Sequence, residues 1–454
     1  MYQRHAQSLK GARIVLEKCL HLKSHDTFLL IYDETTLRFP GLFAEACHAL
    51  DVSFQRAFVG SKAQALGRAF TPDLLLLLGR AHGILVATTD DETCSRFRIE
   101  LTTDKRGAKS TVATMPGASL ELLADAIDLD YEDVARMCLE LTLPLVKGKH
   151  CKVSTFDRQG REYALDFTLG GVKRPPIQSY GIIPRQAWGN VPAGETFVAP
   201  NETSANGKLL VNGAIGTEKV QRRREALLEF KDGRLIRHRY LENGRPVKVL
   251  LHIAQVAKQN NQSACWPIIA EFGIGVNKNI KRITGVQLVD EKKYGTIHIA
   301  VGHNTGYGGT NSCQSVHCDM TTNRPTVTVD GHTIIDRGEH VYDLTLFEDS
   351  FRTYRPPQGA LWPAGWTHVA INEDTYRLGA DHIFLVRKIT NSGRETVYPI
   401  GDEETSLYAT RLVRAAADDT VALSALETKL SLDGAVLRKL LAIFLENDIA
   451  VPVK

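Results

Sequence analysis

Four side chains of the types that bind metal ions lie between residues 268 and 320, on segments whose sequence is typical of β-strands. His317 and Asp319 are two residues apart, so on an extended chain both side chains leave the same face of the strand. His298 lies in the alternating, β-branched run GTIHIAVG, which predicts a strand that presents the imidazole from one face. Glycines at 302, 306, 308 and 309 permit a tight loop, so the two strands can bring their donors together.

The fourth donor, Glu271, follows the apolar run Ile268-Ile269-Ala270, where a carboxylate is costly to bury unless it is paired or binds a cation. A lone strand histidine is more often a packed or surface residue than a ligand, and His-x-Asp alone is a weak motif. When the four side chains are considered together, a metal site and structural packing explain them equally well. The imidazole and carboxylate set suits catalytic zinc, cobalt, manganese or iron(II).

Four blocks of the sequence resemble successive blocks of the thermophilic aminopeptidase T/S family of two-metal peptidases. The blocks are WGNVPAGETFVAP, EFGIGVN, DEKKYGTIHIAVGHN and GGTNSCQSVHCDM. The same blocks resemble the 2,5-dihydroxypyridine 5,6-dioxygenases, which share that fold and hold one iron(II). The resemblance covers about residues 1–338 and is most specific in the four blocks.

Carried to this chain position by position, the resemblance implies five metal ligands: Glu195, Glu271, His298, His317 and Asp319. The active-site tyrosine of the family falls seven residues after the strand histidine, where this chain has Thr305. Tyr307, two residues later, is the candidate catalytic residue in its place. The resemblance also implies a homodimer.

Composition limits the classes of partner. The chain has 454 residues, of which 43% are hydrophobic and 24% charged, as in a globular protein of two or three domains. The net charge of +3 gives no reason to expect binding to nucleic acid or to an acidic membrane surface. The N-terminus lacks an apolar signal-peptide segment, and the leucine run at 74–78 is too short to span a bilayer. We therefore expect a cytoplasmic protein with no membrane partner.

Eight cysteines are scattered along the chain without a CxxC spacing, and several lie in apolar patterns such as FAEACHAL. This distribution predicts reduced and mostly buried thiols. Cys318 stands between His317 and Asp319 and would leave the opposite face of a strand, so it is not included among the ligands.

The fold class is predicted as α/β plus β-rich. Residues 1–150 alternate strand-like and helix-like segments, which indicates a doubly wound α/β domain with a parallel sheet. No GxGxxG follows a strand and no P-loop is present, so no nucleotide site is predicted. Residues 151–338 consist of short β runs and predict a β-rich metal-binding domain, with a hairpin turn at Asp232-Gly233 and one helix at 252–261.

Residues 339–454 lie beyond the family pattern. They contain strand candidates, three helix-like segments and a closing AVPV strand, an order that predicts an α+β module of winged-helix type. The pattern weakly resembles the PqqD-like peptide-recognition modules of ribosomal-peptide modifying systems. A dimerising or lid-forming extension fits it equally well.

Three functional classes fit these features. The first is an aminopeptidase-like metallohydrolase, in which two divalent ions (zinc, cobalt or manganese) activate water against a peptide substrate, with a role in ribosomal-peptide modification implied by the last module. The second is a ring-cleaving dioxygenase with one iron(II) held by His298, His317 and Asp319. The third is a non-hydrolytic peptide-binding or peptide-modifying protein, suggested by the displaced tyrosine. We favour the first because all five metal positions are filled.

Overall fold

The computed structural model describes the first three quarters of the chain almost continuously, and shorter pieces of the remainder. The described residues are 2–60, 71–88, 101, 110–170, 174, 176–183, 187–216, 225–341, 368–371, 376–378, 384–389, 395–399, 409, 412, 421–430, 437–438, 440–442, 444 and 450–453.

The helices of the described residues are, in chain order, α1 (Tyr2–Ile14), α2 (Phe39–Ala49), α3 (Pro72–Leu78), α4 (Leu120–Asp125), α5 (Tyr131–Lys147), α6 (Lys248–Gln259), α7 (Gln287–Asp290) and α8 (Leu423–Leu430). A π-helical turn (Val15–Cys19) follows α1, and 3₁₀ turns occupy Glu34–Thr36 and Thr305–Tyr307.

The strands, in chain order, are β1 (Thr27–Tyr32), β2 (Ser53–Phe58), β3 (Gly83–Ala87), β4 (Thr111–Thr114), β5 (His150–Phe156), β6 (Glu162–Thr168), β7 (Ile177–Ser179), β8 (Trp188–Asn190), β9 (Glu195–Val198), β10 (Asn206–Val211), β11 (Ala226–Lys231), β12 (Arg234–Tyr240), β13 (Ile269–Gly275), β14 (Thr296–Gly302), β15 (His317–Asn323), β16 (Thr326–Val329), β17 (His332–Asp336), β18 (Glu339–His340), β19 (His368–Ile371), β20 (Tyr376–Leu378), β21 (Phe384–Ile389), β22 (Glu395–Pro399), β23 (Val421–Ala422) and β24 (Ala450–Val453).

The first sheet is parallel and has the strand order β2-β1-β3-β4-β8. Strand β1 is covered on both faces: Phe28 and Leu30 pack with residues of α1 and α2, while Leu29 and Ile31 pack with residues of α3. Burial on both faces explains why β1 reads as a continuous apolar run rather than an alternating one. The fifth strand, β8, follows residue 150 and ends five positions before β9 begins at Glu195.

Two further sheets of eight strands pack face to face. The second sheet has the order β12-β11-β10-β6-β5-β16-β17-β18, and the third has the order β15-β14-β13-β9-β7-β22-β21-β20. Their facing side chains form one continuous core, in which the rings of Phe167 on β6 and Phe272 on β13 lie 5.1 Å apart. Helix α5 adds Leu141 and Leu145 to this core. The mixed α/β and β-rich character expected from the sequence is confirmed.

Two local predictions in the second and third sheets are also confirmed. Asp232 and Gly233 both have positive φ angles, 49° and 77°, and form the turn between β11 and β12. The helix predicted at 252–261 is α6, which begins four residues earlier and ends at Gln259.

The strands after residue 341 do not all form a sheet of their own. Strand β22 pairs with β7 through Thr396 and Ile177, so β20, β21 and β22 extend the third sheet. Strands β19, β23 and β24 form a separate three-stranded sheet, and β24 is the predicted closing AVPV strand. The predicted helix TVALSALETKLS corresponds to α8. The other two helices predicted in this part of the chain lie largely outside the described residues, and the domain limits at 150 and 338 stay predictions.

The prediction that all cysteines are reduced is wrong for two of them. Cys265 and Cys313 form a disulfide, with their Cα atoms 5.5 Å apart. The two residues are 48 positions apart in sequence and lie in loops, so no spacing pattern could have paired them. Among the described residues, the thiols of Cys19, Cys47, Cys138, Cys151 and Cys318 are free and buried, as predicted.

No helix among the described residues is long and apolar enough to cross a membrane.

Candidate metal centre

Four adjacent strands of the third sheet, in the order β15-β14-β13-β9, carry the five predicted ligands on one face. Because side chains alternate along a strand, His317 and Asp319 leave one face of β15, while Cys318 between them enters the core on the other. Ala300 of β14 pairs with both Asp319 and Glu271, so a small residue lies between these two carboxylates. The alanine leaves room above the sheet for the ligand side chains.

The donor atoms converge above this face. His298 Nε2 lies 3.0 Å from Glu271 Oε1 and 3.8 Å from Glu195 Oε2. His317 Nε2 lies 3.5 Å from Glu271 Oε2 and 3.3 Å from Asp319 Oδ1. One ligand atom from each of Glu271, His298 and Asp319 lies within 4.8 Å of the other two. The structure therefore brings all five residues into one cluster, and three of them are close enough to hold a single ion.

His298 reaches the cluster because its cross-strand partner is a glycine. Gly273 of β13 pairs with His298 of β14, and a Cβ atom at position 273 would overlap Cε1 and Nε2 of the imidazole ring. The imidazole of His298 therefore occupies the space that the side chain of any other residue at position 273 would fill. A glycine inside an apolar strand, as in EFGIG, is typical of such a close approach.

The donor set fits a cation. His317 Nδ1 donates to the backbone carbonyl of His303 at 2.8 Å, since a carbonyl can only accept, and Nε2 faces the carboxylates of Glu271 and Asp319, where it would bind a cation once its proton is lost. Within the described part of the chain, Glu195 Oε2 and Asp319 Oδ1 are buried and receive no hydrogen bond. A buried carboxylate oxygen that receives no hydrogen bond is costly unless a cation pairs with it. Imidazole and carboxylate donors suit a divalent metal ion.

A buried lysine, which the sequence reasoning missed, lies at the edge of the cluster. Lys292 is 1% exposed, and its ammonium donates to the carboxylates of Glu195 and Glu291, the latter at 2.6 Å. Burial disfavours a charged lysine, but the two carboxylates outweigh this effect and raise its pKa above the usual value. In the sequence Lys292 belongs to the charged run DEKK, which is typical of a solvated surface. Its position six residues before His298, within a block that resembles a metallopeptidase, is the signal that could have identified it.

Negative charge dominates the cluster. Burial raises the pKa of Glu195 to about 7, although the ammonium of Lys292 opposes the rise. Burial alone would lower the pKa of His298, but its hydrogen bond to Glu271 and the nearby carboxylates raise it to about 9. For Asp319, the neighbouring imidazoles outweigh burial and hold the pKa of the carboxyl below its usual value. The cluster raises the pKa of both Lys292 and His298, so it favours the charged forms of these groups. It is therefore electrostatically suited to a cation.

Tyr307 lies beside the cluster, in the 3₁₀ turn of the glycine-rich loop. Its ring makes edge-to-face contacts with Phe197 and His317, at centroid distances of 5.4 and 6.3 Å. Its hydroxyl donates to the carbonyl of His303 at 3.2 Å, the same carbonyl that orients His317. Thr305, at the position of the family's tyrosine, lies 3.0 Å from His303 Nε2 through its hydroxyl. Tyr307 is thus adjacent to a ligand, and its catalytic role stays a prediction.

A partly buried glutamate, Glu202, holds the loop that carries Tyr307. Glu202 accepts hydrogen bonds from the backbone of Thr310 at 2.7 Å and from the side chain of Asn304 at 3.1 Å. Arg174 donates to the other oxygen of Glu202 at 2.6 Å. The loop is therefore held by hydrogen bonds at both ends of its glycine segment, at Asn304 and Thr310. The disulfide Cys265–Cys313 adds a covalent link.

A recess opens next to Glu195, on the same face of the sheet as the ligands. Its empty volume is about 500 Å³, including solvent at its mouth. Its lining combines apolar and polar residues. The apolar ones are Ile177, Ile182, Ile183, Trp188 and Phe197, and the polar ones besides Glu195 are Gln178, Ser179, Tyr180 and Asn190. Glu195 is therefore shared between the ligand cluster and the recess.

Comparison with known proteins supports the fold. No protein-family model matches the chain, and no curated protein matches its sequence. Among solved structures, wild-type AmpT from Thermus thermophilus is similar, with a TM-score of 0.52 and 16% sequence identity. The match covers 74% of this chain and 99% of AmpT. At this level of identity the likeness shows a shared fold, and about a quarter of the present chain lies outside it.

Proposed function

We propose that the chain is an aminopeptidase-like metallohydrolase, which cleaves the N-terminal residue from peptides with water activated by divalent metal ions. The observation that carries this proposal is the convergence of five imidazole and carboxylate donors on one face of the third sheet. The fold likeness to AmpT, an aminopeptidase T, supports the same class of reaction.

Two ions are proposed rather than one. Glu271, His298 and Asp319 supply three protein ligands, which is the number that one open catalytic site uses. Glu195 and His317 remain, and they would hold a second ion together with a carboxylate shared between the two sites. Zinc, cobalt or manganese suits this donor set.

Bound divalent ions lower the pKa of a water molecule and polarise a carbonyl oxygen. The residues of the chain keep the reacting groups in position. The carbonyl of His303 fixes the ring of His317, and Lys292 holds one oxygen of Glu195 while leaving the other directed at His298. Tyr307 is the proposed hydrogen-bond donor to the negative charge that develops on the substrate oxygen, which requires its hydroxyl to leave the carbonyl of His303.

The test is metal analysis of protein purified without oxygen, combined with a hydrolysis assay on amino-acid amides. Two zinc, cobalt or manganese ions per chain and release of the N-terminal residue are expected. One iron per chain with cleavage of dihydroxypyridine would instead establish the dioxygenase. A metal-free protein that binds peptides without cleaving them would establish the non-hydrolytic class.

The variant Glu195→Gln separates two ions from one. A dinuclear site should lose one of its two ions and its hydrolytic activity, because an amide is a poor replacement for a carboxylate ligand. Glu162→Gln, at the exposed first residue of β6, is the matched control and should keep both ions. Full metal content and turnover in Glu195→Gln would contradict the dinuclear assignment.

A further inference from the structure

We propose that the disulfide between Cys265 and Cys313 is a redox switch of the metal centre. Its reduction by a dithiol frees the glycine-rich loop that positions His317 and lowers the affinity of the ligand cluster for metal ions. This inference rests on the metal binding that the proposed function requires, and it adds the regulation of that binding. It depends on where the two cysteines lie, on what the loop holds and on which cysteine a reductant can reach.

The disulfide joins two segments that lead into ligand strands. Cys265 precedes Glu271 of β13 by six residues, and Cys313 precedes His317 of β15 by four. Strand β14, which carries His298, lies between β13 and β15 in the third sheet. The disulfide therefore connects the beginnings of the two strands on either side of His298.

The loop that contains Cys313 sets the position of His317. It begins at His303, whose carbonyl accepts from His317 Nδ1 at 2.8 Å. The backbone N–H of His303 donates to the carbonyl of Val316 at 2.7 Å, so the two ends of the loop are paired. A partner of this kind orients a metal-binding imidazole, and its loss lowers metal affinity about 10- to 100-fold. A loosened loop therefore weakens a ligand.

Hydrogen bonds hold the second half of the loop to the turn that follows α6. Asn311 donates to the carbonyl of Cys265 at 2.9 Å, and the backbone of Ser315 donates to Gln262 Oε1 at 3.0 Å. Ser315 is exposed, so water competes for its bond. The first half of the loop stays attached through Glu202, whichever state the cysteines are in. Opening the disulfide should therefore release the second half of the loop without unfolding the sheet.

Of the two cysteines, Cys265 is the one that solvent reaches. Cys265 is partly exposed and follows the exposed residues Ser263 and Ala264, whereas Cys313 is fully buried against Ala257. An incoming thiolate therefore attacks Sγ of Cys265, and Sγ of Cys313 leaves as a thiolate that takes up a proton. The second thiol of the dithiol then displaces Cys265 from the mixed disulfide. The dithiol becomes a disulfide, and its two electrons and two protons pass to the two cysteines.

The other cysteines that the structure describes do not compete for this exchange. They are all buried free thiols, namely Cys19, Cys47, Cys138, Cys151 and Cys318. Burial raises the pKa of Cys19 and Cys47 to about 12, so these groups are not thiolates at neutral pH. Reduction of the folded protein should therefore expose new thiols at Cys265 and Cys313.

The first test compares the wild-type protein with itself. Zinc affinity is measured against a competing chelator for protein purified without reductant, for protein reduced with dithiothreitol and for protein reoxidised afterwards, each freed of small molecules under nitrogen. The Kd for zinc should rise at least about 10-fold on reduction and return on reoxidation. Mass spectrometry of the alkylated protein should find new labels on Cys265 and Cys313 in the reduced state.

Each other outcome of this test is decisive. Equal zinc affinity in the oxidised and reduced states would overturn the switch and leave the metal centre standing. Absence of zinc binding in both states would overturn the metal centre and the switch together. New labels that appear only after unfolding, or a loss of the whole fold on reduction seen by circular dichroism, would also overturn the switch.

The second test removes the two sulfur atoms, so that released thiols cannot bind zinc themselves. The double variant Cys265→Ser, Cys313→Ser should bind zinc as weakly as the reduced wild type and should not respond to dithiothreitol. Cys47→Ala, at a buried free thiol on α2, is the matched control and should respond as the wild type does. Wild-type zinc affinity in the double variant would overturn the inference.

Amide hydrogen exchange of the metal-free wild-type protein reports on the loop directly and depends on neither metal nor turnover. Amides between residues 311 and 316 should exchange at least about 10-fold faster after reduction, because local opening exposes them to water. Amides of β10 and β11, in the second sheet, should exchange at unchanged rates. A loop that exchanges equally fast in both states would overturn the inference, whatever the protein hydrolyses.

Discussion

Lys292 and Glu195 form a buried ion pair at the edge of the ligand cluster. One oxygen of Glu195 accepts from the ammonium, while the other faces His298 at 3.8 Å and receives no hydrogen bond from the described residues. The carboxylate therefore has one oxygen engaged by the protein and one available to a cation. Lys292 orients Glu195 for metal binding and partly neutralises the cluster before an ion arrives.

The first prediction is that Lys292→Met destabilises the metal-free protein strongly. Removing the ammonium leaves the carboxylates of Glu195 and Glu291 buried without a cation, and breaking such a pair costs about 3–5 kcal/mol. Added zinc should recover part of this loss, because a metal ion supplies the missing positive charge. Urea unfolding of both proteins with zinc and with a chelator measures the two effects.

Lys278→Met is the matched control for Lys292→Met. Lys278 forms an ion pair with Asp133 at 3.1 Å, but its side chain is 51% exposed. Exposed pairs contribute about 1 kcal/mol or less, so the control should be nearly neutral and independent of zinc. Similar losses in the two variants would show that Lys292 has no special relation to the metal centre.

The second prediction concerns the glycine beneath His298. In Gly273→Ala the new Cβ would overlap the imidazole, so the ring must move away from Glu271 and Glu195. Metal content after dialysis should fall well below that of the wild type, and the overpacked site should also cost about 1–3 kcal/mol of stability. Gly306→Ala, where a Cβ would have nothing within 4 Å, should retain its metal. Equal metal content in the two variants would contradict the role of Gly273.

The alternation of side chains let the sequence predict much of this site. Because His317 and Asp319 are two apart on a strand, they had to share a face, and the structure places them so. Lys292 could not be predicted, because a lysine in a charged run is indistinguishable from a solvated one until its partners are known. Its partner Glu195 is 97 positions away in sequence.

In the fold as well, local features could be predicted from the sequence and long-range pairings could not. The strands and the hairpin turn at Asp232 have local signals in the sequence, since alternation and turn residues are local. The pairing of Thr396 with Ile177 joins segments more than 200 residues apart, and the Cys265–Cys313 disulfide joins two loops. Neither pairing has a periodicity that reveals its partner. The homodimer expected from the family resemblance stays a prediction.

The third prediction is a pH dependence at Glu202, which holds the loop of Tyr307. Burial alone would raise the pKa of Glu202, but the hydrogen bonds from Arg174 and Thr310 lower it to about 2 from the ordinary 4.5. A carboxyl whose pKa is lower in the folded state stabilises the fold above pH 4.5, and this contribution is lost as the pH falls towards 2. Glu202→Gln should therefore be less stable than the wild type at pH 6, and the difference should shrink at pH 3.

Urea unfolding of the wild type and Glu202→Gln at both pH values measures this difference. Glu121→Gln is the control, since Glu121 pairs with Arg4 on the surface with 60% of its side chain exposed. This control should change stability little at either pH. A difference between the wild type and Glu202→Gln that grows on acidification would have the wrong sign for a lowered pKa.

The fourth prediction concerns the strands after residue 341. Strand β22 pairs with β7, and β7 pairs with β9, which begins at the ligand Glu195. A chain that ends at residue 380 loses β21 and β22, so β7 becomes an unpaired edge beside the strand that carries a ligand. We expect this truncated protein to have a lower midpoint of thermal unfolding, a tendency to aggregate and reduced metal content.

A chain that ends at residue 400 is the matched control for this truncation, because it keeps β22 while removing α8, β23 and β24. If the third sheet needs β22, the longer chain should retain its metal and most of its thermal stability, whereas the shorter chain should not. If residues after 338 form a module separate from the metal centre, both truncated chains should bind metal as the full chain does. Metal analysis and thermal unfolding of the two truncated chains therefore decide whether these strands complete the sheet that positions Glu195.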